Sequence, residues 1–110
     1  MSLATESMNT YEEFQLEKDI LFFRVGQHGL VSFHGRNFNI KKRISSDELI
    51  RMIEQPVFFK VNTDCYANLR KIEAVSDGQV YFSATDRIVK HVPITKLRQH
   101  NLQHILTAQK

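Results

Sequence analysis

Apolar residues fall in short alternating runs, separated by corners of glycine, asparagine and aspartate, over most of residues 20–92. Such period-two runs make half-buried strands. Residues 20–25 read as an apolar strand, Gly26-Gln27-His28-Gly29 as a hairpin loop, and residues 30–33 as the return strand. Gly35-Arg36-Asn37 then turns into a strand over 38–42, on which Phe38 and Ile40 share a face. Val57, Phe59 and Val61 are expected to point one way, with Phe58 and Lys60 opposite. Cys65, Ala67 and Leu69 alternate with Tyr66, Asn68 and Arg70, and the run continues through 72–75. Asp77-Gly78 is a tight-hairpin signal. Residues 80–82 pair back, 84–86 turn, and 88–92 form the last clear strand.

The period changes twice. Ser45 can cap a helix, with Glu48 three residues on completing a capping box. Leu49, Met52 and Ile53 then lie on one helical face, and Pro56 ends the segment. Thr95 can cap a second helix, striped by Leu102, Ile105 and Leu106, with Leu97 at its start. Glu17-Lys18-Asp19 reads as a turn, and residues 1–11 as a linker or frayed terminus ahead of a single domain over 12–110. The connections are too short for parallel crossovers. The expectation is a mainly β fold of seven to ten short strands in antiparallel sheets with two short helices.

Charge sharpens this picture. The net charge is +3, but the first 19 residues carry five acidic side chains against Lys18. Residues 20–110 therefore hold 14 Lys and Arg against 7 Asp and Glu, a net of +7. Such a field attracts polyanions. Lys41-Lys42-Arg43 is either a solvated strand end or part of a contact surface. Cys65 is the only cysteine, so no internal disulfide can form, and a reducing, cytoplasmic setting is expected. No apolar run has the length of a membrane span, and nothing at the start resembles a signal peptide. Met1-Ser2-Leu3 reads as an added start, which would make the chain a piece of a longer protein.

Little here points to catalysis. The glycines sit at turns and build no phosphate loop, and no nucleophile–base pair or carboxylate pair stands out. Cys65 lies on a strand of buried-looking alternation, as a core hydrophobe would. His100 and His104 lie four apart on the second helix without a third ligand nearby. No catalytic residue, cofactor or metal ligand is assigned, and a non-enzymatic domain is expected. Zinc-finger spacing, a helix-turn-helix pair and a ribonucleoprotein motif are all absent. A single-stranded nucleic-acid binder would need exposed sheet aromatics, for which Tyr66 and Tyr81 are the candidates against a role in packing.

The order and spacing of several landmarks resemble the LytTR family, the β-rich DNA-binding output domain of bacterial response regulators. These are residues 19–23, the helix over 47–53, Phe58-Phe59-Lys60-Val61, Asn68-Leu69, Ile72 and Pro93-Ile94-Thr95-Lys96. The resemblance covers roughly residues 16–106. It implies about ten short strands in small antiparallel sheets. It also implies sequence-specific binding to double-stranded promoter DNA, through loops that enter the major groove, commonly on paired direct repeats. A dimer on DNA and a preceding receiver domain in a two-component system are further implications.

Residue by residue, it places His28 in the first contact loop, where the alternative is an exposed turn histidine. The second loop is Asn62-Thr63-Asp64, where the family pattern has His-Arg-Ser. Asn62 can pair with adenine and Thr63 can meet a phosphate or a thymine methyl; an Asx turn is the alternative. Asp64 would repel phosphate unless it caps the corner or accepts from cytosine. At the third site Lys96 replaces the family's arginine, a point charge for a fork, with Arg98 as an added contact. Asn68 matches the pattern but reads as a structural residue at a bend. The departures at residues 62–64 keep a second reading open, a protein-interaction module that has kept the fold and lost DNA binding.

Overall fold

The computed structural model describes residues 15–82 and 90–108. The expectations for residues 1–11, the turn over 84–86 and the start of the last strand at Ile88 lie outside the described residues. A helical turn, α1 (Leu16–Asp19), stands where the sequence suggests a simple turn, and leads into β1 (Ile20–Val25). A 3₁₀ turn (Gln27–Gly29), β2 (Leu30–Gly35), β3 (Asn39–Arg43), α2 (Ser46–Ile53), β4 (Phe58–Asn62) and β5 (Cys65–Asn68) follow. A second 3₁₀ turn (Leu69–Lys71), β6 (Ile72–Ser76), β7 (Gln79–Phe82), β8 (His91–Pro93) and α3 (Lys96–Ala108) complete the chain. The fold is mainly β, as the alternation indicates. Among the described residues, eight strands make two antiparallel sheets, ordered β3-β2-β1-β5-β4 and β6-β7-β8.

The five-stranded sheet is buried on both faces around β1. On one face Ile20, Phe23, Val31, Phe33 and Phe58 pack under α2, which inserts Met52 with Leu49 and Ile53 at its sides. On the other, Leu21, Phe22, Val61, Cys65 and Ala67 meet Val80, Phe82 and Val92 of the second sheet and Leu102 of α3. Fully burying each of the valine, leucine, isoleucine, phenylalanine and methionine side chains among them contributes about 1.5–3 kcal/mol. A register shift between Ile20 and Phe22 lets the consecutive Leu21 and Phe22 serve one core while Ile20 and Phe23 serve the other. Val57 does not share the face of Phe59 and Val61. It precedes the strand and packs with Phe58 beside α2, because pairing with β5 begins only at Phe58.

The run from Cys65 to Val75 is two strands in different sheets, not one. Asn68, fully buried, breaks it. Its Nδ2 donates to the carbonyls of Glu17 (2.8 Å) and Ile20 (2.9 Å), and its Oδ1 accepts from the Arg70 amide (2.9 Å). These bonds hold the 3₁₀ corner that swings β6 into the second sheet. Ser45 caps α2, its Oγ accepting from the Glu48 amide at 3.2 Å. No helix among the described residues is long and apolar enough to cross a membrane.

Candidate nucleic-acid interface

Strand order and register decide which loops meet. β1 ends beside the start of β5, with Arg24 opposite Cys65, so the β1–β2 and β4–β5 turns lie at the same end of the sheet. β3 also ends there, with Arg43 opposite Leu30. Backbone bonds fix the turns to one another. Val25 N donates to Asp64 O at 2.8 Å, and Ile44 N donates to Gly29 O at 2.7 Å. The junction of β8 with α3 joins them: Thr95 N donates to Val61 O (3.2 Å), and Asn62 Nδ2 donates to Pro93 O (2.8 Å). The Asp77-Gly78 hairpin closes the same end, with Ile94 N donating to Gly78 O at 3.0 Å.

The turns that carry His28, Asn62 and Thr63 and the junction that leads into Lys96 therefore form a rim at one end of the sheet, while Arg98 lies two residues into α3, roughly 200° around the helix from Lys96. His28 is exposed and adopts the left-handed conformation, φ 58° and ψ 35°. Gly29 follows at φ +77°, with Ile44 O only 2.8 Å from where a Cβ would sit, so a side chain there is excluded. Arg43 Nη1 donates to the His28 carbonyl and braces the turn from the neighbouring strand. Thr63 is exposed at the β4–β5 corner. Asn62 is half-buried, and its amide serves that corner: besides the bond to Pro93, its Oδ1 accepts from the Asp64 amide at 3.2 Å, an Asx turn. The Asp64 carboxylate lies 3.6 Å from the Arg24 guanidinium. Lys96 is exposed at the first turn of α3, and Arg98 is half-buried two residues on. Thr95 stands at the N-cap position, its carbonyl accepting from Gln99 N at 2.8 Å.

Arg24 is not among the residues expected to touch a partner, and its signal is its oddity, a lone arginine inside an otherwise apolar strand. Register puts it in one cross-strand row with Ser32 and Lys41, on the same face as Arg43 and Leu30. The lysine-rich run over 41–43 thus presents Lys41 and Arg43 beside the rim. A polar network lies behind them. Lys90 Nζ donates to Gly35 O (2.6 Å), Phe38 O (3.2 Å) and Asn39 Oδ1 (2.9 Å). Because lysine only donates, the Asn39 oxygen is fixed, so His34 Nδ1, 2.9 Å away, must carry the proton. His34 Nε2 then accepts from the Ser32 hydroxyl at 3.0 Å. Burial holds the His34 pKa below its usual 6.5; the Asn39 bond raises it, and Lys90, Arg24 and Lys41 lower it further.

The remaining candidates do not join this rim. Cys65 is fully buried, and burial pushes its thiol up to about 12, leaving it a core hydrophobe. Tyr66 stacks on Phe23 at 5.2 Å on the α2 side, with Lys60 Nζ 6.0 Å from its ring. Tyr81 rests 5.4 Å from the His91 ring on the second sheet. His100 and His104 sit edge to face at 4.8 Å on α3. No group of three His, Cys, Asp or Glu side chains able to hold a metal occurs among the described residues. No known family model matches the chain, and no curated protein matches it.

Proposed function

We propose that this chain is a double-stranded DNA-binding domain, a transcriptional output module with His28, Thr63, Lys96 and Arg98 as contacts and Asn62 shaping the loop between them. The observation that carries the reading is the bonded rim: three turns far apart in sequence are tied together by Val25–Asp64, Asn62–Pro93 and Thr95–Val61. Their outward residues are polar or basic, on a chain whose residues 20–110 carry +7. The two hairpin turns are centred two strands apart, roughly 10 Å, which compares with a major groove about 12 Å wide. The start of α3 adds backbone amides facing the same end, a favourable partner for phosphate. The resemblance to the LytTR family supports the same reading. From it come paired-repeat sites, a dimer on DNA and a receiver domain in the intact protein; a cytoplasmic location is favoured by the single cysteine, which can form no internal disulfide.

Selection from a random duplex library, followed by titration of the selected site, tests this. Binding is expected to weaken steeply with salt. Lys96→Ala should cost on the order of 1–3 kcal/mol if the lysine reads a base, and His28→Ala should lower affinity for the selected site more than for random sequence. No retention of any duplex at low salt would reject the reading. One observation favours a second reading, a protein-interaction module. Asn62 spends both ends of its amide inside the protein, and a carboxylate, Asp64, stands on the rim. Recovery of a protein partner without DNA retention would support that module.

A further inference from the structure

One half of the five-stranded sheet carries cations where its other half carries core. On the face packed against the second sheet, the rows through β1, β5 and β4 supply Phe22, Ala67, Phe59 and Cys65. The continuation of that face onto β2 and β3 supplies Ser32, Leu30, Lys41 and Arg43, with Arg24 at the border. Lys41, Arg43 and Leu30 are exposed. A cleft of about 220 Å³ opens there beside the rim, lined by Arg24, Gly26, Leu30, Ser32, Lys41 and Asp64.

We propose that this open sheet face is a phosphate-backbone binding surface, on which Lys41 and Arg43, flanked by Arg24, hold the DNA strand beside the groove that the rim loops enter. The proposal rests on the DNA-binding reading above and adds the surface that would carry most of its electrostatic affinity.

Several features support it. Lys41 and Arg43 are two residues apart on one strand, so their stems rise about 6.8 Å apart on the same face. That is twice the axial rise per phosphate of one DNA strand, about 3.4 Å. Arg24 stands two strands away from Lys41, roughly 10 Å across the sheet. Asp64 is the acidic side chain lining the cleft, and Arg24 already faces it at 3.6 Å. Arg43 reaches back to the His28 carbonyl, so the cationic face and the first contact loop are one unit. Contacts of this kind fix register on the duplex and carry no sequence preference of their own. Depth separates the roles: loops project beyond the sheet end to reach base edges, while the flat face beside them meets the backbone.

The test measures how affinity depends on salt for wild type, Lys41→Ala, the Lys41→Ala/Arg43→Ala pair and Lys60→Ala. Lys60 lies on the opposite face of the same sheet, across from Tyr66, and serves as the control. Each phosphate contact contributes about 0.9 to the slope of log K against log salt. The slope should therefore shrink by about 0.9 for Lys41→Ala and about 1.8 for the pair. For Lys41→Ala, selected and random duplexes should weaken by equal factors, whereas the pair, which also removes the brace on the His28 turn, should lose more on the selected site; Lys60→Ala should match wild type. Lys41 is exposed, so the single variant keeps the test open if the pair fails to fold. Tight wild-type binding with an unchanged slope in Lys41→Ala overturns the sheet face and leaves the DNA-binding reading standing. So does a Lys41→Ala loss confined to the selected sequence, or an equal slope change in Lys60→Ala. Wild-type protein that retains no duplex at low salt overturns both.

Discussion

Asn68 shows how much one side chain can decide. It joins α1, β1 and the β5–β6 corner through three bonds, and it is the buried polar side chain among the described residues. Asn68→Ala leaves two carbonyls and an amide without their partner, and should cost about 2–4 kcal/mol in urea unfolding. The residue's structural role is legible in the chain, since asparagine inside an apolar alternation favours a local bend over a strand. The clamp of Lys90 is not legible, because two of its acceptors are main-chain carbonyls more than fifty residues away. That clamp fixes the tautomer of His34 and bears on stability. With its folded pKa below 6.5, His34 binds less proton in the native state than in the unfolded chain. Its contribution is complete above pH 6.5 and is lost as the pH falls from there through the lowered folded value. Melting between pH 8 and 5 should fall more for wild type than for His34→Gln, and equal falls would remove His34 from the account.

At the scale of elements, a helix docks by few side chains. α3 buries Leu102 and half-buries Leu106, while Leu97 is 71 % exposed. Leu102→Ala should cost about 2–5 kcal/mol in chemical denaturation, and Leu97→Ala less than about 0.5 kcal/mol. A reversal would mean that α3 docks by another face. The stripe of Leu102 and Leu106 is visible in sequence because helical period and burial agree. β1 is harder. Its four leading residues, Ile20 to Phe23, are all buried, and only the register shift between Ile20 and Phe22 sorts them between two cores. A bulge depends on the partner strand and leaves little trace in its own residues. β4 follows the same logic: Phe58 feeds one core and Val61 the other, so alternation cannot name a solvent face.

Across the whole molecule, the mainly β class follows from turn spacing alone, whereas the meeting of the loops does not. It depends on β1 pairing with β5, strands separated by some forty residues, and on the second sheet closing over them. Pairing at that range is decided by which strands share a core, and local pattern cannot express it. The resemblance supplies the loops as an expectation, while the cationic half-face needs strand register to be seen. The bonded rim has one more consequence. Its turns are cross-braced by main-chain groups and by the Asn62 amide, so their relative positions are set before any encounter. A partner settling there would spend little on ordering the backbone of the turns, leaving only exposed side chains such as Lys96 to be fixed, and disordered segments that fold around their targets lack this advantage. Recognition would then fall to the partner's own deformability: a duplex that bends easily into the fixed outline would be favoured over a stiff one carrying the same base edges.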